Sequence, residues 1–230
     1  MKYALLSFVL MGLIAGSSTA DVNDLSGGVL ISHHPPECCG TYEPSQWCDV
    51  YEERGWGIAT PEEQVNRIDA VTYSYATWFI IAAFCEDKQF CTVVFGLGEY
   101  EMGIWGFDTA SVFSCGPGGD GSRCLELPTP KWPGPGEGTA LTSTSGSWKG
   151  NHRAIYVISG YAYGYDGASG ILPLAVNPQK RVGTFTNCDI VPVDFPIAAY
   201  GGMGINTDGV YVEPECGTGV EDVELPENAE

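Results

Sequence analysis

Short apolar segments separated by turn-forming residues constrain the fold of this chain more than any other feature. Segments at 29–33, 77–84, 91–97, 139–143 and 154–163 have strand length and are rich in β-branched and aromatic residues, in a chain rich in Gly and turn-forming residues. Shorter candidates of the same kind stand at 104–107, 111–113, 182–185, 198–201 and 210–212. This spacing predicts an all-β fold, an antiparallel β-sandwich of jelly-roll or immunoglobulin-like type, over residues 21–216.

One short helix is predicted within this domain. Thr60 is a capping residue, Pro61 suits the first helical position, and Glu63 stands three residues after the cap. We therefore expect a helix over 62–69, and loops at 37–56 and at the Pro-rich stretch 128–137. The segments 77–84 and 91–97 are expected to pair with each other across the turn between them.

The first twenty residues predict the compartment. Lys2 is followed by an apolar core over 4–14 and by small residues ending at Ala20, which is the pattern of a secretory signal cut before Asp21. The apolar core is shorter than the roughly 20 residues that cross a bilayer, so no membrane insertion is expected. The protein is therefore predicted to be secreted, either extracellular or at the cell surface.

Nine cysteines follow this leader, and an oxidising compartment predicts disulfide bonds between them. Because nine is odd, at least one thiol is expected to be free or to bond another chain. Proximity along the chain suggests that Cys85 bonds Cys91, Cys115 bonds Cys124, Cys188 bonds Cys216, and Cys48 bonds Cys38 or Cys39. One of the adjacent Cys38 and Cys39 would then be left over.

The net charge of −19 limits the classes of partner. So acidic a surface repels phosphate backbones and anionic membranes, which argues against nucleic-acid binding. The expected partners are a second copy of the chain, another extracellular protein or a neutral glycan. The acidic residues 217–230 contain no aromatic side chain and are predicted to form a disordered tail.

Glu99 and Glu101 are the candidate catalytic pair. On an extended segment they would share one face about 6–7 Å apart. Glycoside hydrolysis uses paired carboxylates of this kind, so a glycoside-active enzyme is the alternative function. The simpler interpretation is two solvated acids in a chain that carries 29 Asp and Glu residues.

Aromatic side chains are the candidate binding residues. Tyr161, Tyr163 and Tyr165 alternate with small residues, so they would share one strand face and could stack on sugars or pack in the core. Trp132 and Trp148 stand in loop-like sequence, where each could contact a ligand or fold back onto the sandwich edge.

No cofactor is predicted, although weak calcium binding is compatible with three Asp/Gly turns, at 119–121, 166–167 and 206–209. His33 and His34 would point to opposite faces of a strand, which makes them a poor pair of metal ligands. A zinc site with Cys38 and Cys39 is conceivable, but those thiols are expected to be oxidised.

Three segments carry a resemblance to known proteins. Leu-Pro-Thr-Pro-Lys-Trp-Pro-Gly-Pro-Gly-Glu-Gly-Thr-Ala-Leu-Thr at 127–142, Gly-Tyr-Ala-Tyr at 160–163 and the strands within 78–97 resemble a loose group of uncharacterised secreted bacterial proteins. The resemblance implies secretion and a β fold, and it implies no activity. Some members of that group carry a C-terminal surface-sorting segment, where this chain has an acidic tail.

Together these features predict a secreted, non-catalytic protein for extracellular surface structure or recognition, through self-assembly or glycan binding. Glycoside hydrolysis by Glu99 and Glu101 is kept as the alternative.

Overall fold

The computed structural model describes residues 21–35, 47–54, 58, 60–69, 74–101, 105–162 and 168–216. The predicted signal peptide and acidic tail lie outside these residues. The described chain contains one α-helix, α1 (Trp47–Arg54), and three short 3₁₀ turns at Pro61–Glu63, Pro117–Gly119 and Gly121–Arg123. Its strands are β1 (Val29–His33), β2 (Arg67–Ile68), β3 (Ser74–Phe90), β4 (Thr92–Leu97), β5 (Trp105–Ser114), β6 (Cys124–Glu126), β7 (Gly138–Ser143), β8 (Trp148–Ala162), β9 (Gly170–Ala175), β10 (Thr184–Thr186), β11 (Asp194–Pro196) and β12 (Gly202–Ile205).

These strands form two sheets, which confirms the prediction of a sandwich-like all-β fold. The first sheet is antiparallel and has the order β1-β3-β8-β5. The second runs β11-β10-β4-β9-β12-β2, and β7 pairs with both β4 and β6. The pairs are antiparallel except that of β12 with β2, which is parallel.

The main core lies between the two sheets. Alternate residues of β3, among them Trp78, Ile80 and Phe84, meet Phe95 of β4 and Phe185 of β10 in one buried cluster. The period of two along a strand explains this division, since the intervening residues of β3 point to the opposite face. Their apolar character requires that the second face of the first sheet be covered as well.

Helix α1 covers that second face. Trp47 and Tyr51, four residues apart on one side of the helix, are buried in a cluster with Phe79 and Ile81 of β3. The rings of Tyr51 and Phe79 lie 4.5 Å apart between centroids. The molecule therefore has a helix, a four-stranded sheet and a larger sheet in successive layers.

The helix predicted at 62–69 is wrong. The Thr60 amide does donate to Glu63 Oε2 at 3.4 Å, as a capping box requires, but the turn stops at Glu63. The following residues instead bind β1, since the Val65 amide donates to His33 Nδ1 at 3.0 Å. Arg67 then pairs with Gly204 in the second sheet, so strand pairing overrides the local helix signal.

The predicted pairing of 77–84 with 91–97 is also wrong. Strand β3 continues to Phe90 and pairs with β8, whereas β4 pairs with β7, β9 and β10 in the other sheet. Cys91 is therefore the point at which the chain crosses from one sheet to the other.

The disulfide pairings predicted from proximity are contradicted. The three bonds are Cys48–Cys115, Cys85–Cys216 and Cys91–Cys188, and Cys124 carries the free thiol among the described residues. Cys85 and Cys91 do not bond each other because the chain between them continues as β3 to Phe90, and their partners Cys216 and Cys188 come from distant parts of the sequence. Cys38 and Cys39 lie outside the described residues.

Cys115 and Cys124 do not bond because they belong to different layers. Cys115 is buried with α1 on one side of the first sheet, and Cys124 packs against the core between the two sheets. Within the described part of the chain, no helix has the length and apolar character needed to cross a bilayer.

Candidate functional site

A chain of hydrogen bonds runs from Trp132 into the edge of the sandwich. Trp132 Nε1 donates to the hydroxyl of Tyr156 at 2.7 Å. That hydroxyl donates in turn to Glu126 Oε1 at 2.9 Å, and the Thr139 hydroxyl donates to the same oxygen at 2.9 Å. The β6–β7 pair and β8 position these groups, so they come from three separated stretches of sequence.

Burial controls the electrostatics of this polar chain. Desolvation raises the pKa of Glu126, while its hydrogen bonds from Tyr156 and Thr139 act in the opposite direction. Desolvation, followed by the nearby Glu126 carboxylate, raises the pKa of Tyr156 well above its usual value. Tyr156 is therefore a neutral phenol that relays hydrogen bonds at physiological pH.

The rings around this chain pack edge to face. Trp132 lies 5.6 Å from both Phe95 and Tyr156 between ring centroids, with interplanar angles of 83° and 71°. The loop that carries Trp132 is held from outside, since the Tyr100 hydroxyl donates to the Pro133 carbonyl at 3.0 Å. Trp132 thus folds back onto the sandwich edge, the packing interpretation left open by the sequence.

Cys124 lies beside the same carboxylate. Burial is the largest cause that raises its pKa to about 11, and the charge of Glu126 adds to the shift. A thiol with so high a pKa is protonated at neutral pH and is a poor nucleophile. Cys124 is therefore not an activated thiolate at neutral pH.

Trp148 lies in the core rather than on the surface. It is 3 % exposed, its ring stacks on Phe90 at 5.2 Å, and its Nε1 donates to the Cys115 carbonyl at 2.7 Å. Trp148 is therefore mainly a core residue, and the small accessible part of its surface lines a cavity beside the turn Pro117–Gly119. Residue Tyr161 pairs with Tyr75 and Gly106 through β8, but its side chain, like Tyr163 and Tyr165, is outside the described part.

Glu99 and Glu101 follow strand β4 instead of lying on it, because that strand ends at Leu97. Both side chains are exposed. Glu99 Oε1 lies beside Gly136, 2.5 Å from where a Cβ atom would stand, so it closes against the loop that carries Trp132. The two carboxylates therefore lie on the segment that follows β4 and are not part of a hydrogen-bonded strand.

The residues considered for metals are engaged in other contacts. His33 Nδ1 accepts from the Val65 amide, and His34 Nδ1 donates to the Thr77 carbonyl at 2.7 Å. Asp120 accepts from the Ser122 amide at 3.0 Å, which is ordinary turn chemistry. Among the described residues, no group of three or more His, Cys, Asp or Glu is arranged to hold a metal.

A hairpin tip between β10 and β11 is the most exposed apolar feature of the described chain. This tip, defined as residues 188–193, presents Ile190 and Val191 with relative exposures of 103 % and 77 %, and Val193 with 47 %. Side chains of this kind are normally withdrawn from water, so the tip is a candidate interaction surface.

The tip is held rigidly from below. Cys188 is bonded to Cys91, and buried Asn187 brackets the turn through its side chain. Asn187 Oδ1 accepts from the Val193 amide at 2.9 Å and its Nδ2 donates to Asp189 Oδ2 at 2.8 Å. An apolar tip fixed in this way loses little conformational entropy when it binds a partner.

The hairpin tip was not among the predicted binding residues, although the sequence carries a signal for it. Cys-Asp-Ile-Val-Pro-Val at 188–193 places apolar residues where a hairpin turn calls for Gly, Asn or Asp. Trp132 was predicted as a candidate, but its partners Tyr156 and Glu126 were not, because nothing local in the sequence links them to it.

In comparisons with known proteins, no family model, no curated protein and no solved structure matches the chain.

Proposed function

We propose that this protein is a secreted, non-catalytic extracellular protein that acts in surface structure or recognition. The observation that carries the proposal is the hairpin tip, in which Ile190 and Val191 are exposed to water on a turn held by a disulfide and by Asn187. Rigid apolar turns at a surface suit protein contacts better than they suit catalysis, since they carry no group that transfers a proton or attacks a bond.

The disulfides support the extracellular part of the proposal. Three bonds join residues 67, 97 and 131 positions apart, and such bonds persist in oxidising compartments. We propose that the leader is removed before Asp21. Expression with the native leader should release a protein into the medium whose first residue is Asp21. Retention of residues 1–20 on the extracellular product would contradict the proposed cleavage.

Catalysis is tested directly with soluble and insoluble polysaccharides. We expect the secreted protein to release no reducing sugar from them, at any pH from 4 to 8. Turnover that is lost in Glu99→Gln or Glu101→Gln, and kept in the matched exposed substitution Glu53→Gln, would contradict the proposal. It would establish the glycoside-active alternative instead.

Recognition of a glycan is separated from recognition of a protein by an array of neutral glycans. Because Trp132 packs edge-on against Phe95 and Tyr156 and Trp148 is buried, we expect no retention that depends on either ring. Retention lost in Trp132→Ala without unfolding would move the binding surface from the hairpin tip to the loop at 128–137.

A further inference from the structure

A basic cavity near the hairpin tip complements the tip in size. The cavity has a volume of about 250 Å³ and adjoins the turn Pro117–Gly119. Trp148 and Ala154 contribute apolar surface, and Lys149 and Arg153 also line it. Small-molecule pockets usually measure roughly 300–1,000 Å³, so this cavity suits one or two aliphatic side chains better than a small-molecule ligand.

The two surfaces also complement each other in charge. Only 10 residues of the chain are Lys or Arg, against 29 acids, yet two of them line this one cavity. The tip is flanked by exposed Asp189 and Asp194, whose carboxylates are oriented by hydrogen bonds from Asn187 and Thr186. Unlike charges around an apolar contact steer two surfaces into register.

Among the described residues, no Asp or Glu lines the basic cavity. Asp49 of α1 approaches Gly119 from the far side, with Oδ1 2.7 Å from where a Cβ atom would stand. It lines a neighbouring cavity of about 360 Å³, together with Asp120, and does not line the basic cavity.

The base of the tip and the rim of the basic cavity lie at the same end of the molecule. Cys188 is bonded to Cys91, whose Sγ atom is 3.8 Å from the carbonyl oxygen of Gly146. The next residue, Ser147, lines the cavity. Because Ile190 is fully exposed, the tip does not occupy the cavity of its own chain.

Neighbouring complementary surfaces on one molecule meet the requirement for a two-fold interface, in which each copy offers the same two patches to the other. We propose that two copies of this chain form a dimer in which the hairpin tip of each copy inserts Ile190 into the basic cavity of the other. Lys149 and Arg153 then face Asp189 and Asp194 across the interface. This inference rests on the proposed function and names its partner as a second copy.

The dimer is measured by sedimentation equilibrium of the secreted protein at 0.15 M salt. At that ionic strength the Debye length is about 8 Å. The long-range repulsion between two acidic molecules is therefore screened more strongly than the attraction between unlike charges in direct contact. We expect a reversible monomer–dimer equilibrium that stops at the dimer. Open polymers would contradict the two-fold arrangement, because they form from head-to-tail contacts whose rotation does not close.

Two variants test the two surfaces separately. Ile190→Asp places a charge in an apolar contact, and Lys149→Glu reverses a charge at the cavity. Each substitution occurs twice in a two-fold dimer, so we expect each to weaken dimerisation by about a hundredfold, or roughly tenfold per contact. Both residues are exposed, and unchanged thermal unfolding of the monomer will show that the fold is intact.

Matched variants control for the effect of the same types of substitution elsewhere on the surface. Leu127→Asp changes another exposed apolar side chain, and Lys131→Glu reverses another exposed charge; both are outside the tip and the cavity. We expect the dimerisation constant to change less than threefold in either. Dimerisation lost in Leu127→Asp and kept in Ile190→Asp would place the interface at β6 and overturn the proposal.

Mixing two charge-reversal variants, Lys149→Glu and Asp189→Lys, gives the sharpest result. Their heterodimer has one unaltered contact and one contact in which unlike charges again face each other, so we expect it to be more stable than either homodimer. Absence of this complementation would overturn the tip-in-cavity pairing.

The outcomes separate this inference from the proposed function. A wild-type protein that stays monomeric at millimolar concentration overturns the dimer but leaves extracellular recognition standing, whereas polysaccharide turnover overturns the function itself. Binding of the monomer to phosphatidylcholine vesicles, lost in Ile190→Asp, would assign the tip to a lipid surface and would also overturn the dimer.

Discussion

At the scale of single residues, Glu126 shows how this fold accommodates a carboxylate at the edge of its core. Two hydroxyl groups donate to one of its oxygens, but desolvation outweighs them and raises the pKa of the side chain. The half-buried carboxyl group thus accepts hydrogen bonds even though its charge is disfavoured.

Glu126→Gln is expected to change how stability depends on pH. Because the pKa of Glu126 is raised in the folded state, its protonation stabilises the fold below the unfolded pKa. This contribution is lost as the pH rises through the folded pKa. The difference in unfolding free energy between Glu126→Gln and the wild type should therefore shift in favour of Gln from pH 4 to pH 7, measured by denaturant titration. A difference that is constant with pH would contradict the raised pKa.

Tyr156→Phe is expected to lower the free energy of unfolding by about 1–3 kcal/mol. The substitution leaves Trp132 Nε1 without its acceptor and removes one donor to Glu126. Urea unfolding measures the loss. Tyr211→Phe, which removes an exposed hydroxyl that donates to Glu213, is the matched control and should change stability by less than about 0.5 kcal/mol.

At the scale of elements, α1 is stable because a disulfide and apolar packing attach it to the first sheet. Its eight residues are too few for an isolated helix to persist in water. Trp47 and Tyr51 bury one side of it, and Cys48 bonds Cys115. Packing rather than intrinsic helix propensity therefore determines where the helix forms.

Replacing Cys48 and Cys115 together by serine is expected to destabilise the protein by about 4 kcal/mol, from the loop entropy that this bond removes from the unfolded chain. Hydrogen exchange should show that protection is lost in α1 more than in β3 or β8. Cys124→Ser, at the free thiol, is the control and should leave that protection pattern unchanged.

Asn187→Ala is expected to loosen the hairpin tip without unfolding the sandwich. The change removes the acceptor of the Val193 amide and the donor to Asp189. The Val193 amide should exchange faster, and global stability should fall by about 1–2 kcal/mol because Asn187 is buried. If Val193 exchange is unaffected, the side chain does not hold the turn.

Some strand bodies follow from the sequence, whereas their partners do not. The segments predicted at 198–201 and 210–212 are not strands, and the loop predicted at 37–56 contains α1. The segment predicted at 29–33 is β1 itself, and 77–84 lies within β3, because strict apolar content and alternation act over a few neighbouring residues. The partner of each strand is determined by contacts between residues that are far apart in the sequence. No local sequence pattern indicates these contacts. The Thr60 amide donates to the Glu63 side chain as in a capping box, yet the residues after it contact β1 and pair with the second sheet.

At the scale of the whole molecule, a net charge of −19 works against compactness. Self-repulsion of this kind is relieved by salt. We expect 0.5 M NaCl to raise the midpoint of thermal unfolding at pH 7, and to raise it less near the sequence pI of about 4.2. Calorimetry at the two pH values checks this. An equal increase at both would assign the effect of salt to hydrophobic burial instead.

For the candidate site, as for the fold, the sequence predicts individual residues but not the residues they contact. Trp132 stood out as a tryptophan in a proline-rich loop, but its burial depends on Tyr156 and Glu126, which are brought to it by separate strands. Trp148 stood in similar loop-like sequence and is a core residue because β8 begins there. Local sequence identifies such residues but does not show whether their side chains are buried or exposed.

The amino-acid sequence by itself determined that the chain forms short strands, that it carries an odd number of cysteines and that its surface is acidic. These properties depend on composition and on neighbours along the chain. Only the tertiary structure decided which sheet each strand joins, that Cys48, Cys85 and Cys91 bond cysteines 67 to 131 residues away, and that Ile190 faces water. The physical reason is that burial and pairing between distant residues are set by the packing of the whole core, where many weak contacts outweigh any single local preference.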